Sequence, residues 1–118
     1  SPSFLVPETE VSSDGRGEPV RVDAEMIQIT LLVQKTHEQQ SLEILIEGSA
    51  DGQSWLEAPI AAFPQKFYTG TYTQLCSLAS DKQIKFLRAH WKVNRWGRGD
   101  LKPCFGFVLL MENYCQTA

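Results

Sequence analysis

Apolar residues recur at every second position over long stretches, and this period constrains the fold more than any other feature of the sequence. Successive side chains on a strand point to opposite faces, so a two-residue period marks a strand with one buried side. Residues 26–34 read MIQITLLVQ, which puts Ile27, Ile29, Leu31 and Val33 on one face and Gln28, Thr30 and Gln34 on the other. Residues 42–47 read LEILIE, with Leu42, Ile44 and Ile46 inward and Glu43 and Glu47 outward. Residues 84–93, IKFLRAHWKV, carry two competing sets: Ile84 and Phe86 against Leu87, Ala89, Trp91 and Val93. A bulge near Phe86–Leu87 would reconcile them. Residues 104–111, CFGFVLLM, are apolar on both faces, as in a central strand or one covered on its second side.

Weaker strands are expected at 18–22 and 66–76. Ser13-Asp14-Gly15, Ala50-Asp51-Gly52 and the segment from Asn94 to Pro103 carry turn chemistry. KTHEQQS, between the first two strands, is polar and short enough for a hairpin. No helical period is sustained, and a short helical turn near 78–83 is the most that is expected. Many short strands separated by turns predict an all-β fold, a single antiparallel β-sandwich of jelly-roll type spanning residues 13–118. The expected core includes Trp55, Phe86, Trp91, Phe105, Phe107 and Leu109 beside the alternating residues above. Residues 1–12, with two prolines, read as an extended N-terminal arm. Its apolar patch, Phe4, Leu5 and Val6, either packs on its own domain or docks on another subunit.

At 118 residues a chain can bury roughly two-thirds of its unfolded surface, enough for a core without staples. No apolar run approaches the ~18 residues of a membrane span. No signal peptide is expected, because SPSFLVPETE has no basic region followed by an apolar stretch. The net charge of −3 conceals two opposed regions. Residues 1–60 hold eleven acids and three bases, whereas residues 81–103 hold seven bases against Asp81 and Asp100.

Catalytic patterns are not found. His37 lies in a polar connection and His90 between Arg88 and Lys92, and there is no nucleophile elbow, metalloprotease helix or phosphate-cradling loop. Glu43 and Glu47 read as a solvated strand face. Cys76, Cys104 and Cys115 lack metal-ligand spacing, and their number leaves open one disulfide plus a thiol, or three thiols. Cys115 is the best candidate for a crosslink. Arg98-Gly99-Asp100 spells an adhesion tripeptide but reads as an incidental turn. No enzyme, metal or cofactor is expected.

The basic segment is the most pronounced charge feature. Arg88, His90 and Lys92 alternate along one strand face, and Arg95, Arg98 and Lys102 carry positive charge through the following turn. Interleaved Trp91 and Trp96 suit single-stranded nucleic acid in principle. Two facts weigh against it: Trp91 points away from Arg88 and Lys92, and the whole chain is acidic. Two other destinations suit the patch better. It pairs internally with the strand carrying Glu43 and Glu47, or it meets the acidic face of a neighbouring subunit.

One segment is more specific. Residues 44–55, ILIEGSADGQSW, end a strand in Ser49-x-Asp51-Gly52-x-x-Trp55. Phe67-Tyr68-Thr69-Gly70-Thr71-Tyr72 follows, then Phe86-Leu87-Arg88-x-x-Trp91, then Pro103-x-Phe105-x-Phe107. This order resembles small jelly-roll proteins of tailed-phage and prophage-like regions, and its Asp-Gly…Trp turn also resembles discoidin-type, galactose-binding-like domains. The first resemblance implies a non-enzymatic structural subunit of a multi-copy assembly, such as a phage-like particle, tail, decoration protein or filament. Such a subunit is virion-associated or part of an extracellular assembly, and a homo-oligomer or larger lattice. The expected assembly surface comprises Phe4, Leu5, Val6, Glu43, Glu47, Arg88, Lys92, Arg95, Arg98 and Lys102. The second resemblance implies a carbohydrate-binding module, with Trp96, Asn94, Arg95, Tyr68 and Tyr72 as candidate sugar contacts.

Overall fold

The computed structural model describes residues 3–78, 83–96 and 102–114. Among these there are nine strands and no helix: β1 (Ser3–Val11), β2 (Gly15–Arg16), β3 (Val20–Arg21), β4 (Met26–Lys35), β5 (Gln40–Ser49), β6 (Ala61–Lys66), β7 (Gly70–Ser77), β8 (Phe86–Arg95) and β9 (Phe105–Asn113). They form two antiparallel sheets. The first runs β1-β9-β4-β7 and the second β2-β8-β5-β6, with β3 also on β8. β2 and β3 pair with successive parts of β8, Gly15 opposite Trp91 and Val20 opposite Leu87, so together they fill one strand position. Eight positions in this order are the double Greek key of a jelly roll.

The alternating stripe closes the sandwich. Ile27, Ile29, Leu31 and Val33 of β4 face Leu42, Ile44 and Ile46 of β5, and Phe105, Phe107 and Leu109 of β9 lie with them, all buried. Each such side chain contributes roughly 1.5–3 kcal/mol on burial. The stripe therefore outweighs any surface ion pair. β9 lies between β1 and β4 in its sheet, and Val108 on its outer face is only 4% exposed.

Three sequence expectations change. KTHEQQS is not a hairpin: β4 and β5 lie in different sheets, and residues 36–39 carry the chain across the sandwich. Buried Gln40 anchors that crossing, donating from Nε2 to the Cys104 carbonyl at 2.6 Å and to Thr36 Oγ1 at 3.0 Å. Its Oε1 accepts from the Cys104 N–H at 3.0 Å. No bulge interrupts 86–95 either, since β8 pairs with β5 in unbroken register from Phe86 to Arg95. Leu87 and Ala89 are fully buried, Trp91 and Val93 pack partly buried on the core, and Phe86 turns to the outer face. Ile84 is buried from a position before the strand begins.

The third change concerns the arm. Residues 3–11 are extended, but they lie along β9 as an edge strand, with register shifts around Val6. Leu5 and Val6 enter the core and Phe4 stays 56% exposed. The irregular pairing lets two consecutive apolar residues both turn inward, which a regular strand forbids. The possible helical turn at 78–83 falls largely outside the described residues.

Candidate functional site

The outer face of the second sheet gathers the charges singled out by sequence. Register sets Glu43 opposite Lys92 and Glu47 opposite Arg88. Arg88 Nε donates to Glu47 Oε1 at 2.6 Å, and Arg16, brought in by β2, donates to the same oxygen at 3.2 Å. His90 Nδ1 lies 3.9 Å from Glu47 Oε2. Partial burial pushes the Glu47 carboxyl up, but its bonds from Arg88 and Arg16 outweigh this and hold it below the ordinary value. His90 is held below its ordinary value by burial, reinforced by nearby Arg16. Of the two destinations for the basic strand, internal pairing is therefore realised at Arg88.

The Ser49–Trp55 motif serves the same face. Ser49 Oγ donates to the Ser54 carbonyl at 2.6 Å and accepts from the Gly52 N–H at 2.8 Å. Asp51 Oδ1 accepts from Ser54 N at 2.9 Å and Gln53 N at 2.8 Å, and these bonds hold its carboxyl below the usual range. Gly52 has φ 81° and lies against the Phe86 ring, a backbone position that suits glycine. The turn carries Trp55 back over the sheet, where the Arg88 guanidinium sits 4.1 Å from its ring centroid. The two halves of the motif, Ser-x-Asp-Gly-x-x-Trp and Phe-Leu-Arg, thus meet in space. Their chemistry is that of a fold staple: Ser49 and Asp51 bond the backbone of their own turn, and Arg88 bonds Glu47.

The opposite end of the sandwich differs. Three connections converge there: residues 36–39 between the sheets, residues 67–69 between β6 and β7, and Trp96 just after β8. They line a cleft of about 640 Å³ with Thr36, His37, Glu38, Gln39, Gln40, Phe67, Tyr68 and Trp96. Phe67 and Trp96 meet edge to face at 6.0 Å, and Phe67 and Tyr68 at 6.4 Å. The rings remain exposed, Tyr68 by 75% and Trp96 by 55%. The Trp96 N–H donates to the Gln39 carbonyl at 2.9 Å, fixing one wall to another. This volume suits a small ligand, and the wall offers ring faces beside side-chain and backbone polar groups.

The remaining candidates separate. Tyr72 packs against the core, its hydroxyl donating to the Tyr68 carbonyl at 3.3 Å and its ring under Lys66 Nζ at 4.3 Å. Arg95 lies opposite Gln40 and, by the two-residue period, on the other face of β8 from Arg88 and Lys92. Asn94 shares the outer face with Lys92 and is exposed, as is Lys102 beyond the strand. Arg98, the Arg98-Gly99-Asp100 tripeptide and Cys115 lie outside the described residues. Cys76 and Cys104 are free thiols; burial pushes the Cys76 thiol up to about 11. Sequence reasoning missed two contributors. Arg16 sits in a two-residue strand with no periodic signal, and Phe67 was read only as part of a fold motif, because Phe67, Tyr68 and Thr69 are strand-favouring residues that hide the turn between β6 and β7.

No protein-family model matches this chain, and no curated protein matches it. Among solved structures, a chain in the structure of infectious bursal disease virus, Gx strain, matches 94% of the present chain with TM-score 0.62 and 10% identity. The present chain spans 31% of that longer chain. At such identity the likeness is one of fold.

Proposed function

We propose that this chain is a non-enzymatic structural subunit of a multi-copy assembly, of the virion or phage-like kind. The observation carrying the reading is the jelly-roll strand order together with its likeness to a chain of a virus. Fold does not dictate function, and jelly rolls serve shells and sugar recognition alike. The surface chemistry supports the structural reading: Glu47, Arg88 and Arg16 bond to one another within the protomer and so make a braced face. Contact with neighbours runs through the sandwich surfaces, with Phe4 the exposed remnant of the N-terminal segment. Light scattering and negative-stain microscopy across salt concentration test this. Particles or filaments larger than a dimer are expected. A chain that forms none alone, and binds no lattice of proteins made alongside it, overturns the reading.

A second reading is favoured by one observation, the Phe67–Tyr68–Trp96 cleft. Exposed rings beside polar groups are suited to stacking on the apolar face of a sugar, so this end of the sandwich is a carbohydrate-binding site under that reading. A glycan array should then show binding that Trp96→Ala abolishes without loss of fold. Binding indifferent to that substitution removes this site from consideration.

A further inference from the structure

Sheets advertise unsatisfied backbone groups along their edges, and proteins blunt such edges with brevity, proline, bulges or charge. The edges of this sandwich differ in that respect. β2 and β3 are two residues each. β1 carries Pro7, Glu8 and Glu10 and two register shifts against β9. β6 carries Pro64 and Lys66 and a register shift against β5. β7 has none of these. Its eight residues, GTYTQLCS, include no proline and no charge, and they pair with β4 in unbroken register from Gly70 to Ser77. Thr71, Thr73 and Leu75 are exposed, Leu75 by 49%.

We propose that β7 is a self-association edge, at which β7 of a second copy adds in antiparallel orientation and joins two four-stranded sheets into one of eight strands. A two-fold contact sets a strand against itself. On β1 or β6 that symmetry would bring Glu or Lys near its own copy, whereas uncharged β7 meets no like charge. Backbone N–H and C=O groups supply the pairing, as in other strand-addition contacts. The side chains beside them extend it: Thr73 adjoins Thr30, Thr71 adjoins Leu32, and Leu75 adjoins Gln28 across the β4 pairing, an uncharged surface on both copies. Lys66, at the end of β6, is held over the Tyr72 ring. Eight residues a side is well under the ~20–30 of a standard interface, so the contact is weak in dilute solution and strengthens with concentration.

This deepens the structural-subunit reading by naming one of its contacts, and it is tested apart from it. Sedimentation equilibrium of the full chain up to its solubility limit should show a monomer–dimer equilibrium. The double variant Thr71→Lys, Thr73→Lys places like charges across the two-fold contact and should weaken dimerisation on the order of tenfold. Gln65→Lys on β6 should leave it unchanged. Circular dichroism checks that the variants keep the wild-type fold, and hydrogen exchange should show β7 amides gaining protection with concentration. Dimers unaffected by the β7 lysines, or a wild-type chain monomeric throughout, overturn the proposal. The microscopy of larger particles decides the structural reading independently, because a lattice that survives the β7 lysines upholds that reading without this contact.

Discussion

The two outer faces of the sandwich solve the same problem in opposite ways. On the second sheet, Glu47 collects Arg88 and Arg16 with His90 nearby, and Trp55 caps Arg88, so these charges find partners inside one protomer. On the first sheet the outward residues of β4, β7 and the middle of β9 are Gln28, Thr30, Leu32, Thr71, Thr73, Leu75, Val108 and Leu110, with charge toward the ends at Glu112 and along β1 at Glu8 and the Glu10–Lys35 pair. Both faces look like ordinary alternating strands in sequence. One is internally completed and the other is left even and neutral. A charged face can hold its own loop in place, while a neutral face is the one that tolerates a neighbour.

Three substitutions or conditions would sharpen that contrast. The largest effect is expected for Arg88→Ala, which removes a charged hydrogen bond to Glu47 and the stacking on Trp55. The loss should be about 2 kcal/mol in denaturant unfolding. A loss under a few tenths would mean the charged face is decorative. Next comes acid. Glu47 has a folded value below its ordinary 4.5, so its contribution is full above 4.5 and is lost as pH falls through the folded value. His90 is a base with its folded value lowered from 6.5, so protonation below 6.5 also opposes folding. Melting temperature should fall in two stages on acidification, and Glu47→Gln should flatten the lower one. A single acid transition unchanged in Glu47→Gln would break the comparison. The smallest effect belongs to the neutral face: Leu75→Ser should change stability by less than ~0.5 kcal/mol in the same unfolding assay.

The period-two pattern made the strands of the core legible, because burial on one face writes itself into alternate residues of β4 and β5. It made β9 legible as a covered strand for the same reason. What escaped were features without a period. β6 and the two-residue β2 are too short or too mixed to alternate, and residues 3–11 hid a strand behind Pro7 and an irregular register. The KTHEQQS turn shows a different limit: a short polar connection looks the same whether the chain folds back beside itself or crosses to the other sheet. At the sites, Trp96 and Tyr68 were legible as polar-flanked aromatics, but their meeting with Phe67 depends on three connections distant in sequence. Arg88 was read as part of a basic surface because sequence shows its charge and not its partners in β2 and β5.

The pairing of β1 with β9 has a consequence for how the molecule forms. Ser3 lies opposite Met111, so the first sheet is completed only by joining residues separated by nearly the whole chain. Consecutive strand positions mostly lie in opposite sheets, and few local hairpins are available to lead the search. Folding that waits on such distant encounters is slow, in the millisecond-to-second range typical of β-sandwiches. During synthesis β4 must wait unpaired on both sides until β7 and β9 have emerged, so the strand most central to the finished core is for a time the most exposed to the wrong partner.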